Sequence, residues 1–385
     1  MDPFEYLSPH YKFYYPDMVM KWGNDCLVSD QYDNPYIDAT SGWGALAFGH
    51  CNKDIHEAVV QQLEKLVHTC GCNFNHYPQN ILAKLLHARM PQTDTWKLFF
   101  TNSGAESIEG AMKLARYVTK GKKPGFIAFQ GGFHGRTYGA MSLGSAFPKL
   151  REGFEPLLSG VEIFPYNDPQ YLKENIRKDM AAVFVEPVQG VGGCKVASKE
   201  FMQAIRDFCF HTGSLMVVDE VQSGVGRTGK FWAFEHSGVV PDIICSAKAL
   251  GGGFPLGAVI SKKYYMNWPA GVHGSTFGGH PVACMAGSVV VKKVTESFLK
   301  KVAKNSALLR AGLEKLFGSH RVSGLGFMLA VDIVDAAKRD ELMQKCKKNG
   351  LLVLPAEPAA IRLLPPLNCP VFVLKQILII LKNSL

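Results

Sequence analysis

Six short β-rich runs, at residues 97–101, 126–130, 181–188, 215–221, 243–246 and 258–261, are strung between about residues 95 and 260 with helical patterns among them. Residues 104–119 (GAESIEGAMKLARYVT) and 199–211 (KEFMQAIRDFCFH) carry the three-to-four spacing of apolar side chains that marks a helix with one buried face. Parallel strands need such crossovers, so this alternation predicts an α/β core built on a mostly parallel sheet.

From residue 281 the pattern changes. A long helical stretch runs to residue 316, followed by Gly324-Leu325-Gly326, a strand-like run at 327–333, a helix at 338–348 and apolar runs at 351–354 and 361–366. These predict a smaller α+β unit. We expect residues 1–50 to form an N-terminal segment joining that smaller unit, 51–280 a large domain and 281–385 a C-terminal small domain. No linker rich in Ser, Pro or charge separates them, which predicts a tight interface with the site in the cleft.

At 385 residues and 47% hydrophobic content, the chain can bury a large core. Its formal charge of +9 favours acidic small molecules, but the densest basic group, Lys120, Lys122 and Lys123, reads as a solvated loop. No nucleic-acid partner is expected. Ten cysteines without a disulfide-like framework, and an opening Met1-Asp2-Pro3-Phe4-Glu5 without a basic or apolar leader pattern, predict a cytoplasmic protein. The apolar segment 371–381 falls short of the roughly 20 residues that cross a bilayer, so no membrane association is expected; it reads as a buried terminal helix or strand.

Lys248 lies in Ser246-Ala247-Lys248-Ala249-Leu250-Gly251-Gly252-Gly253, an amine among small residues directly after an apolar run. Asp219 ends the apolar Leu215-Met216-Val217-Val218. A lysine that forms a Schiff base and an acid that keeps a pyridine nitrogen protonated are the two groups pyridoxal phosphate chemistry most needs. Thr101-Asn102-Ser103-Gly104-Ala105-Glu106 joins a strand to a helix, with Ser103 and Glu106 spaced as a capping box. The free backbone donors there suit either an ordinary helix cap or a phosphate. Phe133-His134-Gly135-Arg136 offers an aromatic ring for stacking and a guanidinium for a carboxylate.

Two other patterns point elsewhere. Gly224-Val225-Gly226-Arg227-Thr228-Gly229 matches the dinucleotide-binding GxGxxG, yet no long helix packed through small residues follows it. His68, Cys70, Cys72 and His76 cluster locally, but Cys-x-Cys is tighter than structural zinc spacing and no second pair accompanies it, so no metal is assigned.

Taken in order, these pieces resemble the class III (omega-amino-acid) aminotransferases over nearly the whole chain, most specifically across residues 216–257 (MVVDEVQSGVGRTGKFWAFEHSGVVPDIICSAKALGGGFPLG). The resemblance implies a fold-type I enzyme with pyridoxal phosphate as cofactor, and a homodimer with both active sites at the subunit interface. It makes Lys248 the Schiff-base lysine and proton carrier, and Asp219 the partner of the pyridine nitrogen. Val221 and Phe133 would flank the ring, with Gln222 beside its hydroxyl and Ser103, Gly104 and Ala105 around the phosphate. Thr276 is similar to the residue that reaches the phosphate in the neighbouring subunit, and Glu186 to an acid near the cofactor. Arg136 and Arg362 resemble the substrate-carboxylate anchors, fitting a keto-acid acceptor such as 2-oxoglutarate.

Two positions depart from the family pattern. Val191 stands where many members have a Glu that pairs with the C-terminal Arg, and Trp43 stands where a smaller aliphatic residue or Tyr is usual, so that it narrows the pocket or stacks on substrate. Within the family the acetylornithine and ornithine aminotransferases are most similar. They imply transfer of an amino group from a diamino or omega-amino acid to a keto acid. A 4-aminobutyrate-type transaminase, and an aminomutase or decarboxylase on the same scaffold, are the alternatives.

Overall fold

The computed structural model describes Ser8 and residues 14–385; the opening Met1–Glu5, read above for a leader pattern, lies outside them. The expected α/β core is present as a seven-stranded sheet. Its spatial order is Trp96–Thr101, Gly257–Lys262, Ile243–Ser246, Leu215–Asp219, Met180–Val185, Gly125–Phe129 and Val161–Phe164. Gly257–Lys262 runs antiparallel to both its neighbours, and the remaining pairs are parallel.

Successive side chains of the central strands feed two separate cores. Leu215 and Val217 pack with Ile108 and Ala111 of helix Gly104–Val118, whereas Met216 and Val218 pack on the opposite face with Phe201, Ile205 and Phe208 of helix Lys199–Thr212. A strand covered on both faces must be apolar at every position, which is why Met180–Val185 reads as an unbroken run and is buried throughout. The strand Val161–Phe164 is absent from the sequence-based expectation. It is a four-residue edge strand with Glu162 in its middle, and its only partner in the sheet is Gly125–Phe129.

Helix Lys199–Thr212 starts where Ser198 Oγ accepts from Phe201 N at 3.0 Å and stops at Gly213, which takes a left-handed conformation. The single helical stretch expected from 281 to 316 is two helices, Pro281–Lys293 and Glu296–Phe317, because the Thr295 hydroxyl accepts from Phe298 N and starts a new one. Helix Pro281–Lys293 packs on helices Lys53–Leu63 and Tyr77–His87.

The C-terminal strands form an antiparallel sheet in the order Val322–Leu325, Met328–Asp332, Ala360–Leu363 and Leu354–Ala356, covered by helices Glu296–Phe317 and Ala336–Lys348. The apolar tail forms helix Val371–Ser384, with Val373, Leu374, Ile377 and Leu381 buried against the preceding helices. Near the other end of the chain, strand Pro35–Asp38 pairs in parallel with Leu351–Leu352. No helix among the described residues is long and apolar enough to cross a membrane.

The Gly224–Gly229 motif folds as consecutive turns rather than as a strand-to-helix phosphate loop. Its Arg227 is fully buried, donating to the carbonyls of Phe327, Pro365 and Gly44 at 3.3, 2.5 and 3.5 Å. The arginine thereby ties three separate parts of the chain together. Gly326 makes the matching close approach, since a Cβ there would lie 2.4 Å from Arg227 O.

Candidate active site

All the parallel strands point their C-terminal ends at one edge of the sheet, the edge where open α/β sheets place their ligands. The segments leaving Thr101, Phe129, Val185, Asp219 and Ser246 carry Ser103 to Ala105, Phe133 and His134, Glu186, Val221 and Gln222, and Lys248 respectively. These converge on a cavity of about 380 Å³ lined by Ser103, Gly104, Ala105, Phe133, Glu186, Asp219, Val221, Gln222 and Lys248, with His134 and Val191 also in its wall. A larger cavity, about 920 Å³, lies between Tyr166, Lys195 and the helix bearing Arg310, and contains none of the expected site residues.

Lys248 opens a short 3-10 turn, Lys248–Gly251, with a backbone φ of 47°. That left-handed conformation costs a residue with a Cβ on the order of 1–3 kcal/mol, a cost that concentrates at functional positions. Lys248 is half-buried in the cavity wall, and desolvation pushes its amine down from 10.5 to about 8; Asp219 opposes the shift, Arg362 adds to it and Glu186 opposes it. The neutral amine is therefore accessible near neutrality. Asp219 is the last residue of its strand and 5% exposed; Oδ1 accepts from Val221 N at 2.9 Å and Oδ2 lies 2.8 Å from His134 Nδ1.

Glu186 accepts from Phe133 N at 2.9 Å and from Gly190 N at 3.1 Å. Burial raises its carboxyl to about 7, with His134 opposing and Asp219 reinforcing the shift. Ser103 is the N-cap of helix Gly104–Val118, its Oγ accepting from Glu106 N at 3.2 Å. The expected capping box is displaced by one residue, because the Glu106 carboxylate reaches back to Asn102 N at 2.9 Å and not to Ser103 N. Gly104 is required there, since a Cβ would lie 2.6 Å from Val221 Cγ1.

Arg362 sits at the centre of strand Ala360–Leu363, fully buried. Nη1 donates to Gln222 Oε1 at 2.9 Å, while Nε and Nη2 are buried without a partner. The other end of the Gln222 amide donates to Trp43 O at 3.1 Å, and the Trp43 ring lies 4.9 Å from the Arg362 guanidinium. Four consecutive residues of positive φ, Ser41 to Gly44, put that ring in place. The unpartnered donors of Arg362 suit a carboxylate, which accepts two parallel hydrogen bonds from one guanidinium.

Four expected site residues lie outside the cavity wall: Trp43 and Arg362 join it through Gln222, and Arg136 and Thr276 lie further out. Arg136 is exposed, its guanidinium 5.8 Å from the Phe133 ring. Thr276 is exposed in the 273–279 loop. That loop meets the segment around residues 68–76, where His68 stacks on His280 and packs on Phe277, and the Cys70 and Cys72 thiols approach Ser275 O. His76 caps helix Tyr77–His87. The sequence pattern gives His134 no role, because its burial and its contact with Asp219 arise only in the fold; its place one residue after Phe133 is the local signal.

The family model for aminotransferase class-III matches residues 10–385. Among characterised proteins, the chain is 42% identical over 348 residues to an acetylornithine aminotransferase of Methanopyrus kandleri, covering 90% of this chain and 88% of that one. It is 41% identical over 358 residues to an acetylornithine aminotransferase of Bacillus subtilis, covering 91% of each. Among solved structures, the ornithine aminotransferase of Toxoplasma gondii superposes with a TM-score of 0.90 at 28% identity, covering 98% of this chain and 92% of that one. The N-acetylornithine aminotransferase of Stenotrophomonas maltophilia superposes at 0.82 with 31% identity, covering 96% of each.

Proposed function

The chain belongs to the class-III aminotransferase family, and from that premise we propose that it moves the amino group of an acetylornithine- or ornithine-like diamino acid to a keto acid such as 2-oxoglutarate, with pyridoxal phosphate held in the Lys248 cavity. The observation that carries this reading is the half-buried Lys248 amine sharing one cavity with the buried Asp219 carboxylate. The names borne by the similar proteins support the diamino-acid substrate.

The residues fit the cofactor. Gly104, where a Cβ would strike Val221, lets the start of a fifteen-residue helix close on the cavity, the N–H groups at Ser103 to Ala105 lie at the cavity edge, and Asp219 lies at the cavity wall. When bound, pyridoxal phosphate supplies a carbonyl for the amino group and a ring that accepts electrons. Lys248, neutral near pH 8, takes the proton from the substrate carbon and returns it to the other side of the transfer. Asp219 would keep a proton on the ring nitrogen, Val221 and Phe133 would flank the ring, and Gln222 would stand beside its hydroxyl, all four lining the cavity.

Arg362 binds a substrate carboxylate through Nε and Nη2, and Trp43 holds the guanidinium plane from below. Arg136 serves as the second carboxylate anchor from the cavity mouth. The Thr276 hydroxyl is assigned to the phosphate in a partner subunit, making the enzyme a homodimer. Its exposure, with that of Phe277, Phe74 and Tyr77 on or beside the same loop region, supports such an interface. Ten free thiols fit a reducing cytoplasm.

A panel of amino donors against keto acids tests the assignment. Turnover should be fastest with acetylornithine or ornithine and 2-oxoglutarate. Preference for an amine without an α-carboxylate would replace the diamino-acid reading with another transaminase specificity.

A further inference from the structure

We propose that Asp38 is a positioning residue: by gripping the turn that follows strand Pro35–Asp38, it sets the Trp43 ring and carbonyl against Arg362 and Gln222 and so aims the carboxylate anchor. The proposal rests on the carboxylate role given to Arg362 above. Asp38 is the last residue of its strand and 4% exposed. Its Oδ1 accepts from Thr40 N at 2.8 Å, from Thr40 Oγ1 at 2.6 Å and from Ser41 N at 3.1 Å. Its Oδ2 accepts from His50 Nε2 at 2.8 Å. Burial alone would raise the Asp38 carboxyl, yet the hydrogen bonds from His50 and Thr40 outweigh it and hold the group below its ordinary value. An ionised acceptor of four hydrogen bonds therefore stands at the start of the turn.

The turn needs such a grip. Ser41, Gly42, Trp43 and Gly44 take φ values of 47°, 57°, 63° and 81°. Ser41 and Trp43 carry a Cβ, and such residues stay in the left-handed region only where their surroundings fix them. Asp38 fixes the entrance, and Thr40 Oγ1 extends the contact by accepting from Gly42 N at 3.2 Å. Ser41 Oγ donates to Leu364 O at 2.6 Å, and Leu364 N donates to Ala39 O at 2.7 Å. Leu364 stands two residues after Arg362, so the turn is tied directly to the segment that bears the anchor.

The effect reaches Arg362 through the Gln222 amide. Trp43 O takes the donor end of that amide, which leaves Oε1 to face the guanidinium. Once the turn relaxes, the amide is free to rotate and set donors against donors. The Trp43 ring, 4.9 Å from the guanidinium, moves with the same backbone. Arg362 Nε and Nη2 are buried without a partner, so the contacts with Gln222 and Trp43 decide where those free donors point.

The test has two arms. In the first, cofactor-free protein is labelled with ¹⁵N-tryptophan, and the Trp43 indole signal among the five is identified by its loss in Trp43→Phe. One sharp signal is expected in the wild type and in Asp38→Asn, which keeps an oxygen to accept from Thr40 and Ser41. Asp38→Ala should broaden or double it. In the second, steady-state kinetics of the holoenzyme is measured with 2-oxoglutarate as acceptor. Asp38→Ala should raise KM about tenfold or more while kcat at saturation stays within about twofold, and Asp38→Asn should recover most of the loss. A merely structural role would lower kcat and the amount of active enzyme and leave KM in place.

If Asp38→Ala does not fold, Thr40→Val carries both arms: it removes the hydroxyl that links Asp38 to Gly42 and should move the indole signal and KM in the same direction by a smaller factor. A single sharp Trp43 signal in the Ala variant, an unchanged KM, or a fall in kcat alone overturns the proposal. If 2-oxoglutarate is not an acceptor, or Arg362→Lys leaves its KM unchanged, it is the functional reading that fails, and the indole signal alone then supports or overturns the grip of Asp38 on Trp43.

Discussion

Arg362 and Gln222 share a single hydrogen bond, Nη1 to Oε1 at 2.9 Å, and that neutral amide is the side-chain partner of a fully buried guanidinium. Burial lowers the pKa of the Arg362 group, as desolvation does to any cation lacking a close acid. Val191, 5% exposed in the cavity wall that Gln222 also lines, offers no charge. On the proposed function, a substrate carboxylate completes the arginine's hydrogen bonding in both halves of the reaction.

Arg362→Lys removes the two-pronged donor while keeping the charge. A charge-assisted hydrogen bond is worth about 1.5–3 kcal/mol, so KM for the keto acid should rise roughly 10- to 150-fold. Val191→Glu should act in the opposite sense on specificity, competing with substrate carboxylates for Arg362 and improving amines that lack one relative to those that carry it. Steady-state kinetics with matched substrate pairs checks both; unchanged acceptor KM in Arg362→Lys would remove Arg362 from the site.

Glu220 predicts a pH dependence of stability. It is buried beside Ser223 and Phe234, accepting from Ser223 Oγ at 2.7 Å and Phe234 N at 2.8 Å, and burial raises its carboxyl from 4.5 to about 7. Between those values the folded protein holds a proton that the unfolded chain has released. The stabilisation is complete below about pH 4.5 and is lost as pH rises through 7, a change on the order of 3 kcal/mol. Glu186 contributes with the same sign. Urea unfolding of the cofactor-free protein should show stability falling from pH 5 to 7.5, and Glu220→Gln should flatten part of that slope. A slope identical to wild type would mean Glu220 does not bind the proton.

Gly326→Ala places a methyl group 2.4 Å from Arg227 O in a backbone with φ of +58°. Neither the carbonyl nor the turn can yield cheaply, so a loss of about 3 kcal/mol or more is expected, visible as a lower midpoint in thermal unfolding. Because Gly326 and Arg227 together join the C-terminal sheet to the loop after Asp219, activity should fall with stability. A variant as stable as the wild type would show that this contact does not hold the two parts together.

Much of the site was legible because its residues directly follow apolar strands. Asp219 and Lys248 each stand within two residues of a strand end, so strand periodicity and residue chemistry together marked them. The pairings that tune them were not. His134 meets Asp219 across 85 positions, and Arg362 meets Gln222 across 140, distances over which local pattern carries no information. Arg362 is camouflaged further by its place in an otherwise apolar strand. The edge strand Val161–Phe164 was lost for a different reason, since one open edge permits a charge that breaks the apolar run. The helix break before Glu296 was present in the sequence, as a Thr that caps and a Glu that favours the first turn, but the surrounding helical spacing masked it.

The central claim is that Lys248 is the amine that bonds the cofactor. Protein loaded with pyridoxal phosphate, reduced with borohydride and digested, should carry the cofactor on the peptide containing Lys248, and Lys248→Ala should remain folded, carry no label and lose turnover. Label on another lysine, or substantial turnover in Lys248→Ala, would contradict the account.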